Sequence, residues 1–170
     1  MDKNTFTQKV LESEKTLYRI SLSILKNPTD CEDAVQETIL TAYSKLGTLK
    51  KEEYFKTWLV RILINICSKT LRKRKRFVSV EELSEESVPD SSVRTEVKMA
   101  LDALKPKIRI VVVMKYIEGF SVREIKDILN IPEGTVKSRL SEGRKKLGIE
   151  LSESITSKRE EIFFGKTEIL

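Results

Sequence analysis

Glu32, Asp33 and Glu37 lie on a single helical stretch, and clustered carboxylates of this kind are one way to hold a magnesium ion for phosphodiester chemistry. No second carboxylate cluster accompanies them to complete a site, which makes a metal-dependent nuclease a remote reading. The 170 residues contain no histidine, so Ser-His-Asp catalysis and His-ligated zinc are both excluded. Cys31 and Cys67 allow one disulfide at most, and they read as reduced, partly buried thiols without a chemical role. No catalytic residue, metal or cofactor is therefore expected, and the chain is not expected to be an enzyme.

Binding chemistry is better represented. Lys and Arg number 32 against 26 Asp and Glu, a net charge of +6 that is unevenly spread. Residues 1–76 carry +7, 77–95 carry −4, 96–148 carry +5 and 149–170 carry −2. Two basic modules joined by an acidic strap suit a polyanion touched at two places, although a helical surface can acquire the same distribution by chance. No run of 18 apolar residues is present, and the start, Met1 to Thr5, lacks the apolar core of a secretion signal, so a cytoplasmic location is expected.

The elements that must position these charges are helices. Three- and four-residue spacing of Leu17, Ile20 and Ile24, and of Tyr18, Leu22 and Leu25, predicts a helix over Phe6–Lys26, stopped by Asn27-Pro28. Asp30 suits the cap of a second helix reaching about Leu46, with Val35, Ile39, Ala42 and Leu46 on one arc and Gly47 ending it. A third begins near Tyr54, buries Phe55, Trp58, Leu59, Ile62 and Ile66, and runs into Arg72-Lys73-Arg74-Lys75-Arg76. Residues 77–95, rich in Ser and Glu, have the composition of a linker. Helical spacing resumes from Glu96 through Val97, Ala100, Leu101, Leu104 and Ile108 to Met114. The fold expected is all-α, two small helical domains joined by a flexible linker.

Within the second module, Ser121-Val122-Arg123-Glu124 has the form of a capping box opening a short helix over Val122, Ile125, Ile128 and Leu129. Asn130-Ile131-Pro132 breaks the chain, and a second helix is expected from about Glu133 to Leu147, ending at Gly148. This is a helix-turn-helix pattern. On the second helix Val136, Leu140, Gly143 and Leu147 share the inward face; Gly134, Ser138, Ser141 and Lys145 lie opposite, flanked by Lys137, Arg139 and Glu142. Small residues with basic flanks allow a helix to enter the major groove, while an ordinary amphipathic helix with a solvated face fits the same pattern.

Leu104 to Arg109, Glu118 to Ser121, Glu124-Ile125 and Pro132 to Leu140 together resemble region four of bacterial sigma factors of the sigma-70 family. Asp30 to Thr38 resembles the polymerase-binding helix of region two, and Phe55 to Ile62 with Asn65 resembles its promoter-melting helix. The order of the motifs and the compact length, without regions one and three, are similar to the extracytoplasmic-function group. The resemblance spans roughly residues 5–148, as region two over 5–76 and region four over 96–148 with its helix-turn-helix at 121–147. Departures are Lys105 before the expected proline, Lys126 at a position where small residues are usual, and Glu142-Gly143 in place of a more basic pair that includes alanine.

The resemblance implies a transcription initiation factor that binds core RNA polymerase and promoter DNA, as an alternative sigma factor responding to stress or the cell envelope. It implies polymerase binding by Asp30, Glu32, Asp33, Gln36, Glu37 and Leu40, with a leucine among acidic residues offered to a basic partner helix. It assigns the minus-ten element to Tyr54, Lys56, Arg61, Asn65 and the run Arg72, Lys73, Arg74, Lys75 and Arg76. The loop Gly47–Glu53 and Asn65 correspond to positions that hold a base turned out of the stack. The minus-thirty-five element falls to Arg123, Gly134, Thr135, Lys137, Ser138, Arg139, Ser141 and Lys145. An anti-sigma factor, often membrane-tethered in this group, is an implied partner. As a free coil the 19-residue linker spans about 25 Å, less than the ~34 Å of one duplex turn, so it is expected to extend along a basic channel of the polymerase. A stand-alone helix-turn-helix regulator is the rival reading; it offers no reason for Asp33, Glu37 and Leu40 to share an outward face. The tail 149–170 lies outside the resemblance.

Overall fold

A computed structural model describes residues 1–77 and 96–148, apart from the side chains of Arg76, Phe77 and Glu96. The expected linker from 78 onward and the tail from 149 lie outside the described residues. What is described is helical and falls into two compact units, divided between Val88 and Pro89.

The first unit holds α1 (Lys3–Leu25), α2 (Pro28–Ser44) and α3 (Phe55–Phe77), each packed on the other two. Leu17, Ile20, Leu59, Val60, Leu63 and Cys67 are almost wholly buried between them. Phe6 meets the rings of Tyr43 and Phe55 edge-on, at 5.5 and 5.8 Å, so one aromatic cluster joins all three helices. The first helix starts earlier than its apolar spacing indicates because Asp2 caps it, accepting from the amides of Asn4 and Thr5. The start of α2 also differs from expectation. Asn27 is the cap, its Oδ1 accepting from the amide of Asp30 at 3.0 Å, and Pro28 occupies the first turn, where a missing amide proton costs nothing. Asp30 thus lies inside the first turn. Between α2 and α3 the chain makes 3-10 turns at Leu46–Thr48 and Glu52–Tyr54.

The second unit holds α4 (Glu96–Asp102), α5 (Pro106–Val112), a π turn (Val113–Ile117), α6 (Val122–Leu129) and α7 (Glu133–Leu147). The capping box forms as expected: Glu124 N–H donates to Ser121 Oγ at 3.1 Å, and Ser121 N–H donates to Glu124 Oε2 at 2.7 Å. Asn130 leaves α6 in the left-handed region (φ 52°) and Gly148 ends α7 in the same region (φ 64°). Arg109, only 3% exposed, donates from Nη1 to the carbonyls of Asp102 and Leu104, both at 3.3 Å, and so satisfies acceptors left where α4 ends.

Both cysteines are free and buried in the first unit. Burial, and then the neighbouring Cys31, push the Cys67 thiol up to about 12, and burial also raises that of Cys31. Neither offers a thiolate near neutral pH.

Candidate nucleic-acid interface

Three surfaces carry the residues singled out in the sequence. On α2, Glu32, Asp33, Gln36, Glu37 and Leu40 are all exposed, Leu40 by 72%. An exposed leucine surrounded by carboxylates contributes little to folding and is available for burial against a partner. Tyr43, one turn beyond Leu40 and 52% exposed, widens the apolar spot. Sequence reasoning passed over it; its three-residue spacing from Leu40 was the available signal. Among the described residues, no group of three His, Cys, Asp or Glu side chains is placed to hold a metal ion.

On α3 the helical repeat aligns Arg61, Asn65, Ser68 and Arg72 on one face, continued at the start by Tyr54. Arg61, Asn65 and Arg72 are exposed, and Tyr54 is 53% exposed with Lys51 Nζ 6.0 Å from its ring centroid. An exposed aromatic ring beside cations and an amide can stack a base, hold its edge and neutralise phosphates. Lys56 is exposed but on another side of the helix, and Trp58 is half-buried against Phe55 at 6.0 Å. Of the terminal run, Arg72, Lys73 and Lys75 are exposed. Arg74 is not free: it donates from Nη1 to the Leu25 carbonyl at 3.1 Å and from Nη2 forms an ion pair with Asp30. The residues read as separate DNA and polymerase ligands, Arg74 and Asp30, are therefore each other's partners.

The third surface is α7. Gly134, Lys137, Ser138 and Lys145 are exposed and Thr135 and Ser141 half-buried, while Val136, Leu140 and Gly143 face inward. Arg123, on α6, is also exposed. Lys137 Nζ pairs with Glu133 at 2.6 Å, and this hydrogen bond and charge hold the Glu133 carboxyl below its usual range. Glu142 pairs with Lys146 at 3.2 Å. Arg139 is half-buried and lines a cleft with Lys105, Pro106, Lys107, Ile108 and Glu142, closer to α5 than its position among the flanks of the exposed face suggested. Arg144 donates to the Tyr116 hydroxyl at 3.1 Å, bracing α7 on the π turn. Open space surrounds Gly134, so a small side chain there meets nothing within the chain itself.

Comparison with known proteins decides what these surfaces belong to. The family model for Sigma-70 region 2 matches residues 10–77 and that for Sigma-70, region 4 matches residues 89–147. The ECF RNA polymerase sigma factor SigW of Bacillus subtilis (strain 168) is 30% identical, over 86% of this chain and 88% of its own. The chain belongs to the extracytoplasmic-function sigma factors. It directs transcription initiation at promoters as an alternative sigma factor. A second relative, the RNA polymerase sigma factor SigV of the same organism, is 29% identical over 84% of this sigma factor and 89% of itself. Among solved structures, the sigma factor RpoE of Bartonella quintana, crystallised with the anti-sigma factor NepR, aligns with a TM-score of 0.70. That alignment has 28% identity and covers 84% of this chain and 94% of RpoE.

Proposed function

We propose that this sigma factor divides its work among the three surfaces. The acidic face of α2, with Glu32, Asp33, Gln36, Glu37 and Leu40, docks on core RNA polymerase. Tyr54, Lys56, Arg61 and Asn65, with the exposed cations of the run Arg72–Arg76, hold the opened minus-ten element, and the segment Gly47–Glu53 helps seat its flipped base. Arg123 and the outer face of α7, from Gly134 and Thr135 through Lys137, Ser138, Arg139 and Ser141 to Lys145, read the minus-thirty-five element. The observation that carries this division is the exposure of Leu40 among carboxylates on a unit whose opposite helix is basic: one unit presents one surface suited to a protein and another suited to DNA. A stand-alone repressor needs only the second. The sigma factor supplies recognition in the cytoplasm, and the bond-forming chemistry remains with the polymerase.

Regulation is proposed by likeness to the NepR-bound relative: an anti-sigma factor occupies these same faces and keeps polymerase and DNA away.

The double variant Lys137→Ala/Arg139→Ala tests the assignment of α7. Loss of two cationic contacts to bases or phosphates, at about 2 kcal/mol each, is expected to weaken binding to minus-thirty-five duplex DNA on the order of 10²- to 10³-fold. Affinity for core polymerase, titrated separately, is expected to change little. Equal loss of both would place α7 on the polymerase rather than on DNA.

A further inference from the structure

The basic run at the end of α3 is not uniform. Arg74 stands seven residues after Cys67 and eleven after Leu63, so it continues the buried stripe Val60, Leu63, Cys67 rather than the face of Arg61, Asn65 and Arg72. It is half-buried, whereas Arg72, Lys73 and Lys75 are exposed. Its two partners are both helix ends. Leu25 is the last residue of α1, and its carbonyl, which has no acceptor role left within the helix, receives Nη1 at 3.1 Å. Asp30 lies in the first turn of α2, where a carboxylate already complements the helix terminus, and it meets Nη2. One planar guanidinium therefore joins the end of α1, the start of α2 and the end of α3. A lysine ammonium, a single point donor, does not reproduce that fork.

We propose that Arg74 is a positioning residue: with Asp30 and the Leu25 carbonyl it fixes the end of the promoter-facing helix α3 to the start of the polymerase-facing helix α2. Arg74 is then not a phosphate ligand and Asp30 not a polymerase contact. The pair keeps the two surfaces of the first unit in one register, so that α3 meets DNA already placed relative to α2. The inference rests on the reading that the exposed cations of the run touch nucleic acid.

The test is binding of the full chain to an oligo-deoxythymidine strand over a range of salt concentrations. Arg72→Ala, Lys73→Ala and Lys75→Ala each remove a phosphate contact and are expected to flatten the plot of log affinity against log salt by about 0.7. Arg74→Ala is expected to leave that slope unchanged and to lower affinity roughly fivefold at every salt concentration, as when only about a fifth of the molecules hold the end of α3 in place. Arg74→Lys retains the charge and is expected to show most of the same loss. Asp30→Ala provides the sharpest sign test. Removing a negative charge near a polyanion tightens binding if charge alone matters, whereas the positioning role requires weaker binding. A flattened slope for Arg74→Ala together with full rescue by lysine, or tighter binding by Asp30→Ala, overturns the proposal. Unchanged slopes for all three neighbouring variants would instead remove the nucleic-acid reading of the run. Thermal unfolding then decides: Tm losses for Arg74→Ala and Asp30→Ala that fail to add in the double variant support the pair, and additive losses overturn it.

Discussion

Leu40→Ala is expected to weaken binding to core RNA polymerase about thirtyfold, a loss of about 2 kcal/mol, while the thermal midpoint of the first unit moves by no more than about a degree. The two halves of this expectation have separate causes. Leu40 is 72% exposed and α2 is held by Ala34, Val35, Thr38 and Ala42 on its other side, so truncation leaves no cavity. Leucine and alanine are also both good helix formers, so the backbone is little affected. At an interface the same side chain sits among Asp33, Glu37 and Gln36, whose charges steer approach and exclude water around an apolar centre. Reversal of Asp33 and Glu37 to lysine should slow association mainly, and the effect should fade with salt; loss of Leu40 should speed dissociation and persist at high salt. Fluorescence titration of labelled protein with core enzyme, beside a melting curve, measures both quantities. Unchanged affinity would show that the leucine is not the anchor.

Gly143→Val is expected to destabilise the second unit by about 3 kcal/mol, the upper part of the range for overpacked cores. Gly143 is buried where α7 crosses α5. A Cβ built there comes within 2.5 Å of Val112 Cγ2 and 3.2 Å of Ile108 Cγ2, and both neighbours are β-branched, with little freedom to turn aside. Even alanine has to push α7 outward, and the helix propensity it gains, about 1 kcal/mol, does not exceed the packing loss. Valine adds two more methyl groups to the same gap and brings no such helical gain. For a unit of this size the thermal midpoint should fall by roughly 12 °C or more. Binding to minus-thirty-five DNA should fall with it, because the reading helix is no longer seated, while affinity for polymerase through the first unit persists. Val112→Ala opens the space that the new side chain needs, so the double variant should lose less than the two single variants combined. Strict additivity in calorimetry would mean that Gly143 and Val112 do not share this contact.

Much of the second unit was legible because its signals are local. The capping box at Ser121 and Glu124, the break at Asn130-Ile131-Pro132 and Gly148 after a helical run together bound α6 and α7 without reference to the rest of the chain. The placement of Gly143 on the inward face was also legible; the close contact that an added Cβ would make with Val112 was not, since it depends on how closely α5 approaches. In the first unit, two cap-competent residues, Asn27 and Asp30, stand three apart, and Pro28 fits the first turn after the one and the end of a helix before the other. The hydrogen bond from Asp30 N–H to Asn27 resolves that choice. By composition Arg74 is one cation among five, although its helical phase sets it apart from its neighbours. The burial of Arg109 had no sequence signal, because its acceptors, the carbonyls of Asp102 and Leu104, are backbone groups left open where α4 ends. The outward face of α2 was visible from spacing, yet its meaning came from the family.

Run-off transcription tests the central claim most directly. Purified chain, core RNA polymerase of the same organism and a library of its genomic promoter fragments are combined, and the RNA products are mapped to their start sites. Discrete transcripts that need both chain and core enzyme, and that disappear with Leu40→Asp or with Lys137→Ala/Arg139→Ala, are the predicted result. Absence of specific initiation from every fragment, or initiation by core enzyme alone at the same starts, would contradict it.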